Sequence, residues 1–190
     1  MSGIEIHGYA IVTDDDRIAD EGGRMPDVLR NEADWAYFQA GLDEADLSAL
    51  GRLGHEANPN RRNRPRLVLS SAATGLEKRP DAWWWNPSAL SWDSVAETVL
   101  PQGGRVAVPG GKRVFDLFLA IGYDAFHLSR AHGSRLRGGI ALFEACDRGM
   151  SAEEVLASHG LDQGPPQVLD PDGPVTLAVW RPATLGQPRR

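Results

Sequence analysis

The stretch VAVPGGKRVFDLFL, residues 106–119, carries the strongest chemical signal in the sequence. The residues RVAVP at 105–109 read as a strand that runs directly into Gly110 and Gly111 at a helix start. Free backbone N–H groups at such a start attract an anion. The missing Cβ atoms let a phosphate come close, and Lys112 and Arg113 add positive charge. A tight turn with solvated basic side chains would produce the same pattern. The spaced third glycine of the dinucleotide fingerprint is missing.

Two other segments offer polar groups just beyond an apolar run. LSALG at 47–51 leads into Arg52, which the end of a strand would aim at the carboxyl edge of a sheet, where α/β ligands bind. A surface arginine is the plainer reading. LVLSS at 67–71 reads as a buried strand with Ser70 and Ser71 at its end, suited to a ribose or its phosphate, or to capping the next turn. The histidines at 7, 55, 127, 132 and 159 show no metal-ligand spacing. His127 alternates with apolar neighbours and reads as a satisfied pocket or core residue. The Trp83–Trp85 cluster reads as core or interface.

These groups need elements to position them. Residues 4–13 form the first expected strand, followed by the turn-rich loop DDDRIADEGGRMP. Trp35, Phe38 and Leu42 recur at helical spacing between Asn31 and about Asp43. Ser94 and Glu97 have capping-box spacing, as do Ser151 and Glu154. A helix is expected from Arg113 to Ile121, stopped by Gly122, then strands at 124–130 and 175–181. This alternation implies a three-layer α/β domain over residues 1–190, with a mostly parallel central sheet and an antiparallel C-terminal strand.

Composition narrows the function classes. The 190 residues are 42% hydrophobic and 24% charged, ordinary for a globular domain. A formal net charge of −6 argues against a general affinity for nucleic acid. The one cysteine, Cys146, excludes an internal disulfide. The first residues do not read as a signal peptide, and no apolar run reaches the ~18–20 residues of a membrane span. A cytoplasmic protein is expected, with no nucleic-acid or membrane partner.

Taken in order, these segments resemble the dihydrofolate reductase-like superfamily, which includes the folate enzyme and the reductase of riboflavin biosynthesis. DRIADEGGRMP resembles the loop that closes over nicotinamide, NEADWAYF the first helix, AFHLSRA the strand lining the pocket floor, and GGIALFEA a late loop. The resemblance covers roughly residues 4–145. It implies NADPH as cofactor. Gly110, Gly111, Lys112, Arg113, Val114 and Phe115 would cradle the diphosphate, joined by a cis peptide between the two glycines. Gly51 and Arg52 would reach the 2′-phosphate or diphosphate, and Ser70 and Ser71 the adenosine end. Pro109 stands where the family has an aliphatic residue or glycine, and Gly-Arg-x-Thr becomes Gly51-Arg52-Leu53-Gly54.

The family's acid lies on the first helix, four residues before a pocket phenylalanine, which maps to Asp34 and Phe38. Asp34 would fix the heterocycle and assist proton delivery. At the third helical position it would also serve the helix dipole. Phe38, Pro109 and Ser129 would contact substrate. Arg64 lies near the position that holds the carboxylate of a folate tail, although a solvated basic loop is the plainer reading of RRNRPR at 61–66. The resemblance therefore implies an NADPH-dependent reductase of a pterin, ribosylaminopyrimidine or related heterocycle. The alternative is a non-catalytic nucleotide-binding module. A homodimer is expected by analogy with the riboflavin-pathway members.

Overall fold

The computed structural model describes residues 3–184. Strand β1 (Ile4–Val12) leads through β2 (Arg17–Ala19) and a short 3-10 turn to helix α1 (Glu32–Asp43). Then follow β3 (Leu47–Gly51), α2 (Arg52–Ala57), β4 (Arg66–Leu69), β5 (Leu76–Lys78), β6 (Trp83–Trp85) and α3 (Trp92–Val99). The central unit is β7 (Gly104–Gly110), α4 (Lys112–Ile121) and β8 (Ala125–Ala131). The chain closes with β9 (Ile140–Ala141), α5 (Glu144–Asp147), α6 (Ala152–Ser158), β10 (Leu161–Gln163), β11 (Gln167–Asp170) and β12 (Val175–Pro182).

The main sheet runs β10-β12-β8-β1-β7-β3-β4-β6-β5, with β11 also on β12. Strands β8, β1, β7, β3, β4 and β6 are parallel, so their carboxyl ends share one edge. Strand β12 runs antiparallel to β8. Alternation along β1 divides two faces. Ile6 and Val12 point to the larger core with Val106, Val108, Phe126 and Leu128, against Phe115 and Phe118 of α4. Phe115 and Phe118 are 1% and 0% exposed, and each contributes roughly 1.5–3 kcal/mol by burial. Tyr9 and Ile11 point the other way, towards α1, Leu29 and Val175.

Three of the capped helices begin where a side chain meets a first-turn N–H: Asn31 for α1, Ser91 for α3 and Ser151 for α6. Ser151 and Glu154 form the expected capping box. The α3 cap is three residues earlier than the Ser94/Glu97 spacing suggests. Val95 and Ala96 are buried, so the helix must start at Trp92, and the Ser91 hydroxyl is the one that receives the Ser94 N–H. The Trp-rich segment makes the β5–β6 hairpin at the sheet edge, with Trp84 and Trp85 in the core. Arg17 and Ala19 of β2 pair with β9, so the loop after β1 is pinned at its base. Among the described residues no helix is long and apolar enough to cross a membrane.

Candidate functional site

At the shared carboxyl edge, β3 and β7 each end in glycine and each runs straight into a helix. Gly51 caps α2 and Gly111 caps α4, both without a side-chain cap. The first-turn N–H groups of a helix have no intrahelical partner, so these two starts leave donors open to an anion. They lie side by side, because Leu50 pairs with Gly110 and a Cβ on Gly51 would touch Val114 at 3.6 Å. The register between β3 and β7 shifts just before Gly110, spanned by Val108 and Pro109. Proline has no N–H to give to the ladder, which accounts for a bulge there. The peptide joining Gly110 and Gly111 is cis, as the resemblance implies.

The surroundings fit a diphosphate. A Cβ on Gly111 would meet nothing within 4 Å, so the approach to the Lys112 and Arg113 N–H groups is clear. At Gly110, by contrast, φ is +122° and a Cβ would lie 2.9 Å from the Phe115 ring. The N–H groups of Val114 and Phe115 already donate to the Gly111 carbonyl, and both side chains are buried. They support the turn from behind. Lys112 binds Asp147 at 2.8 Å, and Arg52, half-exposed, binds Glu56 one turn along α2 at 3.0 Å. Strand β4 ends one position over from Gly51, which brings Ser70 and Ser71 to the same edge. The Ser70 hydroxyl accepts the Ala72 N–H in a local turn; Ser71 is exposed.

Helix α1 covers the other face of β1 and β8. Asn31 accepts the Asp34 N–H at 3.0 Å, so Asp34 occupies the third helical position. Its carboxyl faces the sheet: burial raises its pKa, and the nearby Ser129 hydroxyl opposes that rise. One turn on, Phe38 packs against Tyr9 and Trp35, with ring centroids 6.2 and 5.7 Å apart. Trp35 is 54% exposed at the outer rim. Asp34 and Phe38, one helical turn apart, and Ser129 of β8 thus share the face between α1 and the sheet.

The same face carries a hydrogen-bonded chain that no local spacing in the sequence marks, running from His127 towards the start of β1. The Tyr37 hydroxyl is 2.6 Å from His127 Nδ1, and His127 Nε2 is 3.3 Å from His7 Nδ1. His7 Nε2 points to Glu5 at 3.6 Å on the outside. Tyr9 stacks on the His127 ring at 4.3 Å and 7°. Burial, with His7 alongside, holds His127 down to about 3, and burial with Arg105 lowers His7. Both rings are neutral at ordinary pH, so each tautomer fixes the next hydrogen bond. Burial and the neighbouring Tyr37 push Tyr9 up to about 12. His127 is buried with a partner at each ring nitrogen, in keeping with the satisfied pocket or core residue that its alternation suggests. Arg64 is neither a solvated loop residue nor a free cation: it grips Asp43 and the Gln39 side chain, tying the β3–β4 connection to α1.

No family model matches the sequence, and no curated protein matches it. Solved structures do match in fold. Dihydrofolate reductase from Enterococcus faecalis, complexed with NADP(H) and RAB-propyl, aligns at TM-score 0.65 and 15% identity, covering 93% of this chain and 95% of that one. A putative riboflavin biosynthesis protein from Shewanella sp. PV-4 aligns at TM-score 0.64 and 16% identity, covering 94% of this chain and 98% of that one. A diaminohydroxyphosphoribosylaminopyrimidine deaminase/5-amino-6-(5-phosphoribosylamino)uracil reductase from Thermotoga maritima aligns at 0.64 and 14%, over 95% of this chain. This chain spans 57% of that protein's length. The fold is dihydrofolate reductase-like.

Proposed function

We propose that this protein is an NADPH-dependent reductase that passes hydride to a conjugated C=N or C=O of a pterin, ribosylaminopyrimidine or related heterocycle. The observation that carries the reading is the pair of adjacent glycine-ended helix starts at the strand edge, with the half-buried Asp34 under α1. Solved structures of the same fold include a dihydrofolate reductase complexed with NADP(H) and a protein named in part as a reductase. Bound at this edge, the nicotinamide of NADPH would supply the hydride.

The chain's own residues bind, orient and move a proton. The open N–H groups of Lys112 and Arg113 hold the diphosphate at a helix start. Arg52 and Ser71 reach the 2′-phosphate, which sets NADPH above NADH. Gly110 lets the backbone turn closely over Phe115. Phe38 and Tyr9 form an apolar wall that excludes water from the reacting face. Asp34, its carboxyl pushed up by burial and partnered by Ser129, holds the N–H edge of the heterocycle and carries the proton.

Thermal protection by NADPH against NADH tests the cofactor, and NADPH oxidation over a panel of dihydrofolate and related heterocycles tests the substrate. Equal protection by both dinucleotides overturns the 2′-phosphate contact. Protection by NADPH with no oxidation on any heterocycle favours a nucleotide-binding module, a reading that the ion-paired state of Arg52 and Lys112 also suits.

A further inference from the structure

At the start of α4 one carboxylate answers two cations. Asp147 takes Lys112 Nζ on Oδ2 at 2.8 Å and an Arg17 guanidinium nitrogen on Oδ1. Arg17 also donates to the Gly139 carbonyl at 3.2 Å, and its Nε is buried with no hydrogen-bond partner. Arg17 opens β2, whose pairing with β9 fixes the base of the loop after β1. Asp147 therefore links the arm of that loop to the glycine-ended helix start. The Lys112 and Asp147 side chains are 30% and 40% exposed, and ion pairs that reach water hold weakly and exchange readily.

We propose that Asp147 is an internal counter-anion that occupies Lys112 until a phosphate reaches the Gly110–Gly111 turn. The lysine then transfers to the phosphate and leaves Asp147 to Arg17 alone. This inference rests on the reading of that turn as a diphosphate site. Two positive groups sharing one negative group leave room for a second anion. The arriving phosphate supplies it, and the undivided carboxylate then binds Arg17 more firmly. Cofactor binding would in this way tighten the β2–β9 pairing at the foot of the loop. The carboxylate exacts a cost in affinity, since it competes for the lysine and repels the incoming charge.

Isothermal titration of the full chain with NADPH tests this. Asp147→Asn keeps the size while removing the charge and one of the two acceptor oxygens, and it should bind NADPH about 3- to 10-fold more tightly at low salt. The gain should shrink as added salt screens the site. In a Lys112→Gln background the same change should gain markedly less, because the lysine is what Asp147 withholds. Glu97→Gln on α3, an exposed residue, removes the same charge elsewhere and should leave affinity unchanged. Amide exchange at residues 17–19 should slow on NADPH addition in the wild type and show no such response in Asp147→Asn. Wild-type binding with unchanged or weaker affinity in Asp147→Asn overturns the proposal and leaves the cofactor site standing. An equal gain in the Lys112→Gln background also overturns it. Failure of every variant to bind NADPH overturns the diphosphate reading, and the proposal with it.

Discussion

At the carboxyl ends of β3 and β7 the protein offers backbone; beneath α1 it offers side chains. That edge is made of glycines and unpaired N–H groups, and its Arg52 and Lys112 side chains are each already matched by a carboxylate. Such a surface recognises an extended anion by shape and dipole, and it serves any molecule that carries the same diphosphate. The face under α1 is built from Asp34, Tyr37, Phe38, Tyr9, His7, His127 and Ser129, each held by a specific neighbour. There, in the proposed reading, identity of the side chain would decide what can bind. The difference explains why the proposed cofactor can be named from the backbone while the proposed substrate is named only as a class.

The comparison predicts that damage on the two sides will look different. The largest effect should come from Asp34→Asn, which should lower turnover by about 10²-fold or more while NADPH titration stays unchanged. The same pair of proteins has a pH signature. Burial raises the Asp34 pKa in the folded state, so the folded protein holds that proton more tightly than the unfolded chain does. Relative to Asp34→Asn, the wild type should be most stable at low pH. It should lose that advantage as pH rises from the ordinary aspartate value through the raised one. Urea melts across this range check the sign; a wild type that gains on the variant with rising pH breaks the assignment.

The two glycines should separate next. Gly110→Ala forces a side chain into positive φ and against Phe115, and should cost about 1–3 kcal/mol of stability, read by chemical denaturation. A side chain at Gly111 meets open space, so Gly111→Ala should leave stability nearly intact and lose NADPH binding. The geometry thus divides the two penalties, stability and binding, between the two glycines.

Under α1, Tyr37→Phe leaves a buried His127 nitrogen without its partner and should cost about 1–3 kcal/mol. The cofactor side should not respond. The smallest effect is expected for Arg52→Ala, about 1.5 kcal/mol in NADPH affinity and less for NADH, because Arg52 must first leave Glu56. Equal losses for the two dinucleotides would remove Arg52 from the 2′-phosphate.

Much of the frame could be read beforehand, because β1, β7, β8 and β12 are long enough to show apolar runs and α1 and α6 carry side-chain caps. Strands of two or three residues such as β2, β5 and β9 show no period, and they exist only through their partners. The same limit applies to the site. Asp34 and Phe38 sit one helical turn apart and are visible as a local pattern. Tyr37, His127 and His7 meet across 90 and 120 residues of chain. No local spacing marks such a trio. The ion pairs that occupy Arg64 and Lys112 span 21 and 35 residues and were invisible for the same reason, whereas Arg52 meets Glu56 four residues on, a spacing the sequence does carry.

The run Asp14-Asp15-Asp16 is stitched to the end of β8 and the turn that follows it. Asp14 receives the Gly133 N–H, Asp15 the Leu136 N–H, and Asp16 the Arg130 guanidinium, each at 2.8–3.0 Å. Arg130 in turn grips Glu153 of α6. These stitches make the polypeptide intolerant of added length at that point and indifferent to it a few residues later. A short flexible insertion between Gly22 and Gly23, both exposed, should be absorbed by the fold. The same insertion between Asp14 and Asp15 would throw the Asp15 and Asp16 stitches out of phase with that of Asp14. The boundary between protected and permissive chain therefore falls at β2, within ten residues of the first strand.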